Sequence, residues 1–293
     1  PAIKIGLGAS FQYIKDSLQS ALGLRQLQTL NYNNIEAQKR SNTNYWLQFF
    51  LGRKTFKNVF SLKSGSRQPE LSELYGFFLF NNNDGFDYIG NPHLDSEHYL
   101  NLSNTLSFKL LGLPLSWQVY SYQFKKYILG VQRPEYYAMT IGANGVKEYQ
   151  NIGLANIMGT SINLKAFEHK RLPNTLQLAY RKGQTATYGY LPQMLPLELK
   201  HTISYLYKQH YIAVNSSFTA AYNTPSEVYG ERQTPNYLLV HVTWKKHWQV
   251  NKAQLSTELS VHNVLYKHYT THLTWEAWPL PGRNVKLSLK YWL

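Results

Sequence analysis

The stretch Arg283-Asn-Val-Lys-Leu-Ser-Leu-Lys-Tyr-Trp-Leu293 carries apolar side chains at every second position, with mostly polar side chains between them. The same alternation recurs over residues 212–222, 237–244 and 253–261. A period of two predicts β-strands that have one apolar and one polar face. Runs of about 9–11 residues are long enough to cross a bilayer when the strand is tilted. No helical stretch of comparable strength accompanies these runs.

The composition narrows the class of protein. The 293 residues contain no cysteine, which excludes disulfide scaffolds, thiol catalysis and zinc–thiolate sites. The mean hydropathy is −0.40, and the longest apolar runs fall far short of the ~20 residues that a membrane-spanning helix needs. With 16% charged and 43% hydrophobic residues, the chain is not disordered as a whole. An outer-membrane β-barrel is the membrane class that fits, because every second residue of its strands faces a wet lumen.

Twelve strands are predicted along the chain, each with the two-residue period. The predicted strands cover residues 2–12, 42–52, 56–65, 97–109, 114–126, 149–168, 174–186, 195–207, 210–222, 235–245, 251–262 and 282–293.

The connections between these strands alternate between short and long. The short ones lie near 52–55, 110–113, 169–173, 208–209 and 247–251. The long ones lie near 13–41, 66–96, 127–148, 187–194, 223–234 and 263–281. This alternation is typical of transmembrane barrels, which have tight turns at one end and long external loops at the other. The sequence therefore predicts an all-β fold, a transmembrane antiparallel β-barrel.

Aromatic residues make up 15% of the chain, including 24 tyrosines and seven tryptophans. Such side chains are enriched where a bilayer meets water, because the ring is apolar and its tip is polar. Five tryptophans close to predicted strand ends are expected at these interfaces: Trp46, Trp117, Trp244, Trp248 and Trp292. Trp275 and Trp278 lie in a long connection instead, where they are expected to pack the loop or to contact a ligand.

Four segments show a family resemblance. The first two are Arg67-Gln-Pro-Glu-Leu-Ser-Glu-Leu74 and Asn91-Pro-His-Leu-Asp-Ser-Glu97. The third is Asn151-Ile-Gly-Leu-Ala-Asn-Ile-Met-Gly159, and the fourth is Val261-His-Asn-Val-Leu-Tyr-Lys-His-Tyr269. Pro281-Gly-Arg-Asn284 then precedes the last predicted strand. In this order, the segments resemble the C-terminal half of the barrel of TonB-dependent outer-membrane receptors.

The sequence departs from the family pattern at three positions. Ser161 stands where a glutamate is common, Tyr266 where an asparagine is expected, and Leu293 where the terminal residue is usually phenylalanine. The resemblance implies a 22-stranded barrel that is closed by an N-terminal plug domain, preceded by a short TonB-contacting box. The chain resembles the last twelve of those strands, and residues 1–293 are assigned to a partial barrel domain without a plug.

The resemblance implies transport without covalent chemistry, so neither an enzyme activity nor a cofactor is expected. The expected function is TonB-dependent active uptake of a scarce ligand at the cell outer membrane, most commonly a ferric siderophore or another metal complex. Its expected partners are outer-membrane lipid and lipopolysaccharide, the TonB complex through an N-terminal plug, the small-molecule or metal-complex ligand, and a surface lipoprotein. Nucleic acid is not an expected partner, because the basic residues are spread over many strands.

Aromatic residues and histidines of the long connections are the candidate ligand contacts. These candidates are Tyr75, Phe77, Phe80, Tyr88, His93, Tyr266, His268, Tyr269, His272, Trp275 and Trp278. His268 and His272 are spaced as i and i+4, but a metal site needs three or four convergent ligands, so a structural or solvated role is favoured. The segment 75–85 predicts an aromatic hairpin with an Asn-Asp-Gly turn.

The chain has a net charge of +14, and several of its basic residues lie at the short turns. Basic residues there are expected to meet anionic headgroups or simply to keep the turns soluble: Arg53, Lys54, Lys170, Arg171, Lys208, Lys245 and Lys246. Three other functions stay open. They are a self-contained 12-stranded passive pore, an outer-membrane barrel hydrolase, and a soluble basic β protein that binds nucleic acid or glycan. Ser260 and His262 illustrate the hydrolase chemistry, but no nucleophile motif surrounds them.

Overall fold

The computed structural model describes residues 2–15, 39–53, 55–166, 172–250, 253–274 and 278–292. Its elements in chain order are β1 (Ala2–Lys15), β2 (Lys39–Arg53), β3 (Phe56–Arg67), α1 (Leu71–Tyr75), β4 (Leu79–Asn81), β5 (Phe86–Ile89), β6 (Glu97–Leu110), β7 (Leu113–Gln132), β8 (Val146–Ala166), β9 (Asn174–Thr185), β10 (Gly189–Tyr190), β11 (Glu198–Tyr207), β12 (His210–Thr219), β13 (Tyr237–Val250), β14 (Ala253–His262) and β15 (Asn284–Trp292).

The sheet is an antiparallel meander. Its strand order is β1-β2-β3-β6-β7-β8-β9-β11-β12-β13-β14-β15, so each long strand pairs with its neighbours along the chain. These are the twelve strands that the sequence predicts, and their order confirms the all-β antiparallel fold class. Within the described residues, no ladder joins β1 to β15. We call these twelve strands the ladder.

The register gives the ladder one apolar face and one polar face. Trp244 lies opposite Leu259, which in turn lies opposite Leu287 on the next strand. One residue further along β13, Lys245 lies on the other face and forms an ion pair with Glu258 at 3.8 Å. Period-two strands produce this separation because successive side chains point to opposite faces.

The apolar face is uncovered. The four apolar residues that line this face of β15 are between 60% and 65% exposed: Val285, Leu287, Leu289 and Tyr291. A soluble protein rarely exposes a continuous apolar surface of this kind. The lipid-facing band of a transmembrane barrel does, because hydrocarbon covers it.

Two of the five tryptophans that were expected at the membrane interfaces are wrongly predicted. Trp46 lies opposite Lys63, so it shares the polar face. Trp292 has the same parity in β15 as Lys290, which places it on the polar face as well. The physical reason is the pleat: nearness to a strand end sets the depth of a side chain, while its parity decides the face.

Tight turns join the strands at one end of the ladder. Leu111 and Gly112, between β6 and β7, have φ values of 51° and 81°. Positive φ at both central residues is the requirement of a type I′ hairpin turn, whose twist matches that of the flanking strands. The predicted short connections near 110–113 and 208–209 are therefore confirmed, but the one near 247–251 is wrongly placed, because residues 247–250 continue β13 and pair with β14. Lys54, Lys170 and Arg171 lie outside the described residues.

The long connections contain structure that the two-residue period does not predict. The aromatic hairpin is confirmed as β4 and β5, with Gly85 in its turn at a φ of 74°. The parallel pairing of β5 with the start of β8 was not predicted. The β7–β8 ladder also runs further than predicted, to the pair of Gln132 and Lys147, past a left-handed residue at Lys126. Among the described residues, no helix is long and apolar enough to cross a membrane.

Candidate functional site

The long connections meet at the end of the ladder opposite to the tight turns. We call residues 68–96, 133–145, 186–197, 220–236, 263–274 and 278–283, with the strand ends that they join, the loop cap. The largest side chains that are less than 2% exposed all lie there: Lys147, Leu74, Leu191, Val146, Asp87 and Ser226. Among the described residues, the largest fully buried side chains therefore lie in and beside the loops, which makes the loop cap the candidate functional site.

A buried ion pair fastens the β4–β5 hairpin to β8. The ammonium of Lys147 lies 2.6 Å from the carboxylate of Asp84, and the two side chains are 1% and 0% exposed. Asp84 also accepts hydrogen bonds from the Tyr88 hydroxyl at 2.6 Å and from the backbone N–H of Phe86. The Lys147 ammonium lies 3.9 Å from the centre of the Phe86 ring. Each charge thus has partners inside the packed cap.

The protonation of Tyr88 follows from this environment. Burial, and then the negative charge of Asp84, raise the pKa of Tyr88 well above its usual value. The hydroxyl therefore stays protonated and donates to Asp84. The neighbouring carboxylate, Asp87, accepts the backbone N–H groups of Met139 and Thr140, both at 2.8 Å. These bonds tie the β7–β8 connection to the same hairpin.

The charged residues of the first two family-like segments converge. Arg67 donates to both carboxylate oxygens of Glu73, at 2.8 and 3.0 Å, and its Nε donates to Glu97 at 2.6 Å. Glu97 in turn accepts the backbone N–H of Ile128 at 2.7 Å. A guanidinium that bridges two carboxylates needs its planar fork of donors. This network therefore holds α1, β6 and β7 at the base of the loop cap.

Asparagines of the other two family-like segments also connect parts of the loop cap through hydrogen bonds. Asn151 accepts the backbone N–H of Asp95 and donates to the carbonyls of Asp95 and Lys126. Asn263 is buried, donates to the carbonyls of Lys267 and Pro281, and accepts the backbone N–H of Lys267. The family-like residues thus organise the connections, a role that their spacing in the sequence did not reveal.

A second network crosses the cap near the last connection. The ring of His272 lies 4.1 Å from that of Tyr222, centre to centre. The Tyr222 hydroxyl donates to Glu231 at 2.9 Å, and Glu231 also accepts the backbone N–H groups of Gln193 and Ser226. Burial, helped by this hydrogen bond to Glu231, raises the pKa of Tyr222. Burial lowers the pKa of His272, against the opposing effects of Glu231 and of a backbone hydrogen bond at Met194.

An open cavity of about 420 Å³ lies on the polar face of the ladder. Its lining combines two cations, several rings and small polar groups: Lys63, Asn101, Ser103, Gln118, Tyr120, Tyr122, Phe124, Ile157 and Arg181. Three of the rings follow one another along β7, with centres 5.9 Å apart for Tyr120 and Tyr122 and 5.8 Å apart for Tyr122 and Phe124. No sequence motif marks this surface, because its residues alternate along the strands with those of the apolar face.

The candidate ligand contacts of the hairpin region divide into packed and open residues. Tyr88 is buried, and Tyr75 packs against the cluster of Leu74, Leu94 and Ile128. Phe80 is half-buried, whereas Phe77 and His93 are exposed. These last two residues are therefore the accessible candidates of this set.

The candidates of the last connection are more open. Tyr266 and His268 are exposed and lie edge to face, with ring centres 5.1 Å apart. Tyr269 packs on Tyr237, and Trp278 is exposed. His272 is brought next to the turn of the β4–β5 hairpin, where both line one small cavity. Trp275 lies outside the described residues. Contact between these candidates and a ligand stays a prediction.

Titratable side chains do not assemble into a metal site in the part of the chain that the structure describes. No group of three or more histidine, aspartate or glutamate residues could hold a metal ion there. His241 and His262 lie with ring centres 5.2 Å apart on the polar face, which supplies two ligands at most. The local chemistry is therefore that of ion pairs, hydrogen bonds and ring contacts.

Comparison with solved structures identifies the architecture. The copper transporter OprC superimposes with a TM-score of 0.71 at 17% identity, over 87% of this chain and 40% of that one. The fold is that of a TonB-dependent receptor barrel. The siderophore receptor PirA from Pseudomonas aeruginosa gives a TM-score of 0.62 at 16% identity, over 87% of this chain and 43% of that one.

A third receptor barrel, the FrpB iron transporter from Neisseria meningitidis, gives a TM-score of 0.59 at 12% identity, over 99% of this chain and 52% of that one. The chain thus spans about half the length, or less, of these receptor barrels. No protein-family model and no curated protein sequence matches it. The resemblance read from the sequence is therefore confirmed at the level of the fold. The assignment of residues 1–293 to a plug-less partial barrel domain stays a prediction.

Proposed function

We propose that the chain forms part of the wall and external loops of an outer-membrane receptor that imports a scarce ligand. The observation that carries the proposal is the presence of two different surfaces on one ladder. An uncovered apolar face suits lipid, and an interlocked loop cap closes the long-connection end of the same ladder. A soluble nucleic-acid-binding protein has no use for the apolar face, and a hydrolase would need a nucleophile that no motif supplies.

The polar face supports transport of a large polar ligand. Lys63 and Arg181 provide positive charge beside the rings of β7, and three polar side chains together with Ile157 complete the cavity lining. Proteins with this fold include a copper transporter, an iron transporter and siderophore receptors. For this chain we propose the same class of cargo, a ferric siderophore or another metal complex.

The proposed partners follow from the same architecture. Outer-membrane lipid and lipopolysaccharide would contact the apolar face, and a surface lipoprotein would meet the loop cap. Coupling to TonB would act through an N-terminal plug that fills the polar side of the barrel. The proposed location is the cell outer membrane.

Uptake in cells tests this proposal. Cells that depend on this protein would be given ⁵⁵Fe-loaded siderophores or radioactive copper complexes, with and without a functional TonB. We expect uptake of one of these complexes to require both the protein and TonB. TonB-independent passage of small solutes through the purified protein in planar bilayers would instead support the passive pore and overturn active import.

Extraction behaviour gives an independent check. We expect the protein to stay with the outer-membrane fraction until detergent is added, because the apolar face of the ladder is uncovered. Release by high salt alone would remove the membrane assignment and favour the soluble β protein.

A further inference from the structure

A small polar cavity lies where four separate segments of the loop cap meet. It measures about 160 Å³. The polar side chains that line it come from the β4–β5 turn, the β7–β8 connection, the β12–β13 connection and the last connection: Asn83, Asp84, Asn144, Arg232, His272 and Thr274. The transport proposal makes no use of this cavity.

The charge of the lining is positive. The carboxylate of Asp84 is already neutralised by Lys147 and accepts two further hydrogen bonds inside the cap. Among the described residues, Arg232 forms no ion pair, so its guanidinium is the cation of the lining without a carboxylate partner. The nearby Glu231 carboxylate does not line the cavity, and it already accepts three hydrogen bonds within the loop cap. A cavity with one spare cation attracts an anion.

The lining also contains polar groups that suit an oxygen anion. Among the described residues, the buried Nε2 atom of His272 has no hydrogen-bond partner, although buried polar atoms in folded proteins nearly always have one. The side-chain amides of Asn83 and Asn144 line the same space, and Asn144 uses one of its N–H groups on the backbone carbonyl of Asp84. Amide and guanidinium N–H groups are donors that oxygen anions accept, and Nε2 of His272 becomes such a donor when the ring is protonated.

The size of the cavity selects a small anion. A protein cavity of about 150 Å³ admits a molecule of the size of benzene. Sulfate and phosphate have five non-hydrogen atoms and are smaller than benzene. We propose that this cavity binds one free tetrahedral oxyanion of the sulfate or phosphate type, which ties the four segments of the loop cap together.

Calorimetric titration of the detergent-solubilised full-length protein with sodium sulfate tests the proposal. Sodium chloride at matched ionic strength serves as the blank. We expect saturable binding of sulfate, and at least a tenfold weaker affinity in Arg232→Gln, as for the loss of one charge-assisted hydrogen bond. Arg53→Gln is the matched control, because Arg53 is an exposed arginine at the tight-turn end of the ladder. It should bind sulfate like the wild type.

A second variant distinguishes a loss of anion binding from a change in the packing of the loop cap. His272→Phe keeps a ring against Tyr222 but removes Nε2, so we expect weaker binding with an unchanged tryptophan fluorescence spectrum. Sulfate keeps its charge between pH 8 and pH 5, so a rise in affinity on acidification reports protonation of protein groups. The charged and titratable groups around His272 are Glu231, Tyr222, Arg232 and the Asp84–Lys147 pair. The rise should be present in the wild type and absent in His272→Phe.

Two results would overturn the proposal. One is the absence of saturable heat with sulfate in the wild type. The other is equal sulfate affinity in the wild type and Arg232→Gln. Folding does not confound the comparison, because Arg232 is exposed and makes no ion pair with the described residues, and the fluorescence spectrum verifies each variant.

Discussion

The ladder and the loop cap of this protein are stabilised by different forces. In the ladder, hydrogen bonds between neighbouring strands satisfy the backbone, and large apolar side chains such as Leu287 stay uncovered. In the loop cap, charged side chains are buried among apolar ones, with Lys147 and Asp84 almost fully excluded from solvent. The ladder leaves one apolar face for its surroundings to cover, whereas the cap is covered by contacts within the protein.

This difference teaches where specificity lies. A strand that faces lipid can have many different apolar sequences, because contacts with hydrocarbon are not directional. A buried ion pair tolerates few alternatives, since removal of one partner leaves a charge without compensation. The conformation of the loop cap is therefore fixed by particular residues. Substitutions in the cap and in the ladder test this difference separately.

The largest effect is expected from Lys147→Met. It leaves the buried Asp84 carboxylate without its cation, which costs ~3–5 kcal/mol when a buried pair is broken. We expect the β4–β5 hairpin to become sensitive to protease while the strand content measured by circular dichroism stays unchanged. The double variant Lys147→Met/Asp84→Asn removes both charges but keeps a side-chain oxygen that can accept a hydrogen bond, so it should recover most of the protection. Equal sensitivity of the single and double variants would mean that the ion pair does not hold the hairpin.

The second-largest effect is expected from a substitution in the ladder. Leu287→Lys places a charge on the uncovered apolar face of β15, and a lysine on the lipid face of a barrel costs about 2–4 kcal/mol near the bilayer midplane. Lys286→Gln changes the adjacent residue on the polar face and is the control, with almost no expected cost. Urea unfolding in lipid vesicles measures both variants. A Leu287→Lys protein as stable as the control would show that this face does not meet lipid.

These two substitutions also mark what the sequence could predict. Leu287 belongs to a local period of two, so its face follows from its neighbours in the chain. Asp84 and Lys147 are 63 residues apart, and no local pattern connects them. The sequence predicts twelve strands and their alternating connections because these signals are short-range. It does not predict the buried pair, which depends on the long-range pairing of β5 with β8.

The family-like segments show an intermediate case. Their resemblance indicated a fold, but it assigned no role to Arg67, Glu73 or Glu97, which the structure brings into one network. Parity explains a further error. Trp46 and Trp292 were placed at the membrane interface by their position near strand ends, yet both lie on the polar face. Candidate ligand contacts such as His93 and Tyr266 stay predictions, because contact depends on a ligand and not on the strand pattern.

A smaller effect is expected at the base of the cap. Arg67→Lys keeps the charge but loses the planar fork that reaches both Glu73 and Glu97. The expected loss is ~1.5–3 kcal/mol, the size of one hydrogen bond to a charged group. Hydrogen exchange at the Ile128 amide, which donates to Glu97, reports the change directly and should become faster. Lys63→Gln on the same face of β3 is the control and should leave that exchange rate unchanged.

The smallest effect concerns the tight-turn end of the ladder, where basic residues are predicted to meet anionic headgroups. The register separates two neighbours there: Lys245 pairs with Glu258 on the polar face, whereas Lys246 lies 3.5 Å from the Trp248 ring centre on the apolar face. Lys246→Gln should therefore weaken binding to anionic vesicles by about fivefold, or ~1 kcal/mol for one cation near the surface. Lys245→Gln should change little.

Sedimentation of the solubilised protein with vesicles, with and without anionic lipid, measures this difference. Because exposed charges are screened within about 3 Å at 1 M salt, the effect of Lys246→Gln should vanish there. An equal loss in the Lys245→Gln and Lys246→Gln variants would show that the face of the ladder is irrelevant at this end. Unchanged binding in both would leave solubility of the turns as the role of these lysines, and headgroup contact would be rejected.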